Sequence, residues 1–210
     1  MTFRGWPSEA LEFYEGLAAD NSKTYWTAHQ AFYEERVREP MRELLAALEP
    51  EFGPGKIFRP YRDVRFSNDK SPYKTHLGAW LEAGGYVQLS AEGLAAGCGM
   101  YQMEPDQLDR YRKAVAGDRT GKQLTDVIAT IEAAGIGVHG HGSLKTAPRG
   151  YPKDHPRVDL LRHKGLTTWQ EWAPAAWLGT AKAQTRLVDF LRASRPLRAW
   201  LDDHVGPHRP

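Results

Sequence analysis

Between Trp26 and Leu48 the apolar residues recur by threes and fours: Trp26, Phe32/Tyr33, Val37, Met41, Leu44/Leu45 and Leu48. That spacing lines one stripe of a helix with a 3.6-residue period and cannot line one face of a strand. A helix striped in this way has to bury its apolar side against another element. Pro40 lies inside the run, lacks an N–H and crowds the carbonyl four residues back, so the helix is expected to kink or divide there. Gly53-Pro54-Gly55 closes it. Ahead of it, Ser8 is the expected N-cap of a first helix over 8–19 that buries Leu11, Phe13, Tyr14 and Leu17. Asp20-Asn21-Ser22 breaks the chain, and Thr24 is the expected cap of the long helix.

The middle of the chain changes period. Lys56-Ile57-Phe58 and Val64-Arg65-Phe66 are predicted as strand pieces around a polar loop, and 75–81 as a strand. YVQLS (86–90) and LAAGCGMYQM (94–103) predict an antiparallel hairpin. Gly97 and Gly99 inside its second arm predict a bulge or a close approach to the backbone. Helices are predicted from Glu104-Pro105-Asp106 to 116 and over 120–134, with Gly135 as the residue past the end. A short strand at 136–138 leads to the turn-rich PRGYPKDHP (148–156), and the chain is predicted mostly helical from Trp169 to His204. Helices at both ends of an antiparallel centre predict one α+β domain over 1–210. Its central antiparallel sheet would have helices from both chain ends packed against it.

With 41% apolar and 26% charged residues over 210 positions, the chain can bury a core without disulfides. Its single cysteine, Cys98, excludes an internal disulfide framework and fits a reducing compartment. No run of 18 apolar residues occurs, and the opening MTFRGWPSEALEF shows no apolar secretory core, so a cytoplasmic location and no membrane partner are expected.

Net charge is +2, but its distribution is uneven. Residues 1–58 carry six Lys/Arg against ten Asp/Glu, or −4. RPYRDVRFSNDKSPYKTH (59–76) carries five against two, or +3, and residues 145–164 carry six against two, or +4. In the first block Arg59, Arg62, Arg65, Lys70 and Lys74 surround Asp63 and Asp69. Guanidinium forks suit carboxylate and phosphate, lysine adds a mobile point charge, and an aspartate can orient an arginine or act as a base. No phosphate loop is present, because the glycines that let backbone amides cradle a phosphate are missing.

This block resembles the signature of domain of unknown function 2461, a family of bacteria and some fungi, which implies a bacterial origin. NSKTYWTAHQAFYEERVREPMRELLAALEP (21–50) is similar to the family's N-terminal helix and PRGYPKDHP to its later turn. Tyr25-Trp26 departs from the Trp-Phe order the family leads one to expect there, an exchange of core residues. The resemblance marks Arg59, Arg62, Asp63, Arg65, Lys70 and Tyr73 as signature residues and implies no agreed activity for any of them.

From the second block, Arg149 and Lys153 are candidate ligand contacts, beside Tyr151, Asp154 and His155. His76, close to the first block, is a candidate proton carrier near neutral pH. Tyr73 and Tyr101 can donate hydrogen bonds to a ligand, and Cys98 is expected to pack as a small apolar residue. His139 and His141 would share a face of a strand, but GVHGHG also fits plain loop and no metal motif surrounds it. Neither a metal nor a cofactor is expected. Ser67 and Ser71 lack a nucleophile elbow.

Three readings follow. In the first, an enzyme or binding protein takes a small phosphate- or carboxylate-bearing ligand in an anion-binding pocket. Arg59, Arg62, Arg65, Lys70, Tyr73, Lys74, Arg149 and Lys153 contact it, with Asp63 and His76 as catalytic candidates. In the second, cations interleaved with Tyr61, Phe66 and Tyr73 bind nucleic acid, against which stands a sum of −5 over the rest of the chain. In the third, the block is an architectural Arg/Asp network of a structural or interaction module.

Overall fold

A computed structural model describes residues 3–209. Helix α1 spans Glu9–Ala19. Ser8 precedes it but does not cap it: its own backbone is already helical (φ −54°, ψ −36°), and its hydroxyl donates to Glu9 Oε2 at 3.2 Å. Helix α2 spans Lys23–Phe32, and its cap is Ser22 rather than Thr24. Ser22 is extended, so its Oγ can accept the Tyr25 N–H at 3.1 Å, whereas Thr24 already lies in the first turn. The helix widens into a π segment, Tyr33–Arg38, before α3, Glu39–Phe52. Here the Glu39 N–H reaches back five residues to the Glu34 carbonyl. Pro40 then falls in the first turn of α3, where a missing N–H costs nothing. The expected division is therefore a change of hydrogen-bond register that carries the apolar stripe past the proline without a break. Gly53, at φ 73°, ends α3 with its N–H on the Glu49 carbonyl.

The strands are β1 Gly55–Ile57, β2 His76–Leu81, β3 Gly85–Ser90, β4 Gly93–Met100, β5 Gly137–His141 and β6 Gly165–Trp172. They form a six-stranded antiparallel sheet in the order β1-β2-β3-β4-β6-β5. The remaining helices are α4 Pro105–Ala116, α5 Asp118–Ala133, α6 Val158–Arg162 and α7 Lys182–His204. The fold is α+β, with helices flanking the sheet. Its contacts cluster into two compact units, the residues up to Ala96 with Glu171–Asp189, and Gly97–Gln170 with the residues from Phe190 on.

In the first unit β2 and β3 alternate, except that Gly78 and Ser90 on the outer face are buried too. Leu77, Ala79, Leu81, Val87 and Leu89 are buried, and the alternate positions His76, Trp80, Tyr86 and Gln88 are half-buried or exposed. The core on the buried side includes Phe13, Tyr14, Leu17, Tyr33, Val37, Met41, Leu44 and Leu48 from the helices. The Trp6 indole N–H donates to the Val37 carbonyl of the π segment at 3.1 Å.

In the second unit, α4 opens as the sequence predicts, with the Glu104 N–H donated to Gln107 Oε1 at 3.0 Å. Gly135, at φ 79°, follows the end of α5. From Trp169 to His204 the chain is mostly helical, as predicted, through α7, but its first residues to Trp172 belong to strand β6. This strand explains Gly99, whose φ is 132° and where a β-carbon would stand 2.4 Å from the Leu166 carbonyl oxygen. The predicted close approach is thus made by a neighbouring strand of the same sheet. GVHGHG is likewise strand β5, not loop. Val64-Arg65-Phe66 is the opposite case, a turn at Arg65-Phe66 where a strand piece is predicted.

Candidate functional site

Segment 59–76 lies wholly in the first unit and is closed at its neck. Tyr61 and Tyr73 form an isolated antiparallel bridge, flanked by Arg62 N–H to Pro72 O at 2.9 Å and Lys74 N–H to Pro60 O at 2.8 Å. Asn21 holds the neck from outside, donating its amide to Tyr73 O and accepting the Tyr73 N–H, both at 3.0 Å. The Tyr73 ring is buried and lies parallel to Trp26, with centroids 4.5 Å apart at 11°. The helix break at Asp20-Asn21-Ser22 thus also fastens the signature loop.

Inside the neck, charges cancel in pairs. The Asp69 carboxylate accepts from Ser71 N–H at 2.9 Å and pairs with the Arg62 guanidinium, and these bonds, Ser71's first, hold its carboxyl well below the usual range. Asp63 accepts from Arg65 Nε at 3.0 Å and Nη2 at 2.6 Å, and this fork lowers its pKa. Lys70 Nζ donates to the Val64 carbonyl at 3.0 Å. The loop is held by its own side chains, and its tip presents Phe66, 96% exposed.

At the base the cations make no ion pair among the described residues, although Asp63 feels the Arg59 charge and Glu92 acts on His76. Among the described residues, the ion pairs of this segment join Arg62 to Asp69 and Arg65 to Asp63, and Arg59 and Lys74 belong to neither. Lys74 is half-buried, and burial first, then the Arg59 charge, lowers the pKa of its ammonium. Its Nζ sits 5.4 Å from the Phe58 ring centroid. His76, opening β2, is lowered by burial and then by Lys74, while Glu92 pulls the other way, so the imidazole is neutral near pH 7. Ser90 stands opposite His76 in the β2–β3 register. The Ser90 hydroxyl donates to Glu92 Oε2 at 2.6 Å and accepts the Glu92 N–H at 3.2 Å. Ser90 and Glu92 are absent from the sequence-based set, because only the strand register brings them to His76.

The candidate residues therefore divide. Arg62, Asp63, Arg65 and Lys70 shape the loop, Tyr73 anchors its neck, and Arg59, Lys74 and His76 gather at its base. Arg149 and Lys153 belong to the second unit, exposed on its 148–154 turns. Cys98 is buried, its thiol pushed up to about 11 by burial. Among the described residues no group of three or more His, Cys, Asp or Glu is placed to hold a metal ion. No helix among them is long and apolar enough to cross a membrane.

An antiparallel α+β chain carrying an ion-paired Arg/Asp loop is the class that fold and site define. The chain belongs to the family described as conserved hypothetical protein, DUF2461, whose model matches residues 9–200. No curated protein matches it. Among solved structures it is similar to an uncharacterized protein from Methanothermobacter thermautotrophicus. There the TM-score is 0.42 and the identity 13%, over 80% of this chain and 99% of that one. It is also similar to a conserved hypothetical protein from Pyrococcus furiosus, with TM-score 0.38 and 14% identity over 81% of this chain and 96% of that one.

Proposed function

We propose that the base of the signature loop binds a small phosphate- or carboxylate-bearing ligand, with Arg59 and Lys74 as its cationic contacts and His76 beside it. The observation that supports this reading is the unpaired charge there: Lys74 is kept half-buried next to Arg59 at a cost to its charged form. An anion arriving between these groups would offset both the desolvation of Lys74 and its repulsion by Arg59. The Asp63–Arg65 and Arg62–Asp69 pairs stiffen the loop that presents the base. Asp63, ionised and committed to Arg65, orients that arginine and is a weak base. His76, neutral near pH 7, is the candidate proton acceptor if chemistry follows binding. The reading needs no residue of the second unit.

Titration calorimetry with inorganic phosphate tests it. The expected result is saturable binding that Lys74→Met weakens about ten- to hundredfold, the range for losing one charged hydrogen bond. Equal affinity in the two proteins, or no binding to the wild type, contradicts it.

A further inference from the structure

The sheet face beside that base is aromatic. On β2 the positions pointing away from the core are His76, Gly78 and Trp80, and the register places them against Ser90, Gln88 and Tyr86 of β3. Lys56 of β1 faces Trp80, and the next bond of the ladder, Phe58 N–H to Gly78 O at 2.9 Å, sets Phe58 beside Gly78. Phe58 and Tyr86 lean toward each other across Gly78, with ring centroids 6.3 Å apart. The glycine is what leaves them room, since a β-carbon there would stand 2.6 Å from the Tyr86 hydroxyl oxygen. That hydroxyl donates to Gln88 Oε1 at 3.0 Å, which fixes the ring. Phe58 and Trp80 are 41% and 38% exposed, unusual for large apolar rings on a short strand pair.

Two lysines stand against these rings, and the Glu92 carboxylate lies at the His76 end of the row. Lys74 lies over Phe58, Lys56 stands beside Trp80, and His76 continues the same row. Flat rings at the surface of a sheet, bordered by cations and a fixed amide, suit a ligand that is planar at one end and anionic at the other. We infer that the Phe58–Tyr86–Trp80 face is a stacking platform for a nucleobase whose phosphate lies at Lys74, Arg59 and His76, as a free nucleotide or within a single strand. The inference rests on the anion site proposed above and names the class of its ligand.

The test compares thymidine monophosphate, inorganic phosphate and a short oligothymidylate on the full chain by titration calorimetry. Stacking of one base predicts that the nucleotide binds about tenfold or more tightly than phosphate. Trp80→Ala should remove most of that advantage while leaving phosphate affinity unchanged, and Phe58→Ala, which also takes away the ring beneath Lys74, should lower nucleotide affinity by a larger factor than phosphate affinity. Both side chains are partly exposed, so the variants are expected to fold, and an unaltered Tm checks that. Oligothymidylate binding tighter than the mononucleotide, with a steep loss as salt rises, assigns the single strand, and equal binding assigns the free nucleotide. Equal affinity for phosphate and nucleotide, or a preference that survives both variants, overturns the platform. Absence of phosphate binding contradicts the anion site instead.

Discussion

The two basic segments, 59–76 and 145–164, carry similar excess charge, +3 and +4, yet their cations face different things. In the second, Arg157 turns inward to a helix end. Its guanidinium donates to the carbonyls of Val115 at 2.7 Å and Ala116 at 3.1 Å at the end of α4, and to Gly117 at 3.3 Å, whose carbonyl also accepts the Gly121 N–H of α5. Gly121 makes room for it, since a β-carbon there would stand 2.3 Å from Arg157 Nε. Arg162 pairs with Asp159 at 2.9 Å in the next turn. In the first segment the arginines meet aspartates within one loop, and Arg59 and Lys74 remain outside those pairs. Positive charge that closes a helix is architecture. Positive charge left beside aromatic rings, at an energetic cost to itself, is where we propose that a ligand binds.

Removing Arg157 probes the architectural half and should have the largest effect on stability. Arg157→Met leaves helix-end carbonyls without donors, which costs about 2–3 kcal/mol, or a fall in Tm of about 5–10 °C. Calorimetric melting checks this, and phosphate affinity should not change. A stable Arg157→Met protein that had lost phosphate binding would reverse the comparison.

His76 gives a smaller, pH-dependent effect. Its folded pKa is lowered, so between that value and its unfolded value of 6.5 the unfolded chain binds more protons. Stability is then full above about pH 6.5 and falls as the pH drops through the folded pKa. His141 and His163, both also lowered by burial, act in the same direction, so His76→Gln should reduce the loss between pH 7 and 5 without abolishing it. Urea unfolding at the two pH values measures the difference, and an unchanged pH dependence in the variant contradicts the assignment.

Asp69→Ala, which removes both the charge and the acceptor of the Ser71 N–H, sharpens the role of the ion-paired loop. The pair it breaks is at the surface, so Tm should hardly move. The Ser71 amide, bonded to Asp69 at 2.9 Å, should exchange with solvent faster while phosphate weakens only slightly. Unchanged exchange would mean that the neck bonds alone order the loop.

Much of this organisation was legible in the sequence. The helical stripe through Val37 and Met41, the cap at Glu104, the stop at Gly135 and the β3–β4 hairpin follow from local spacing and backbone preference. What was not legible depends on partners distant in sequence. The end of β6, Trp169 to Trp172, is predicted helical because Trp169, Trp172 and Trp177 also fit helical spacing, whereas its ladder with β5 pairs Trp169 with Gly137. Val64-Arg65-Phe66 has strand propensity, but the Asp63–Arg65 fork and the Lys70 contact turn the chain there. The density of charge at 59–76 marked the segment at whose base the anion site is proposed. Which cations stay unpaired, and which rings stand beside them, depends on strand register, since Trp80 and Tyr86 come from β2 and β3 and Phe58 directly follows β1.

The claim that anions bind at the base of the signature loop is tested most directly at His76 itself. Its imidazole can be followed by NMR through a pH titration with and without inorganic phosphate. Burial and the Lys74 charge hold its pKa low in the free protein, so a bound anion should raise it, and Lys74→Met should abolish most of the phosphate-dependent rise. A His76 titration curve that phosphate leaves in place would contradict the account.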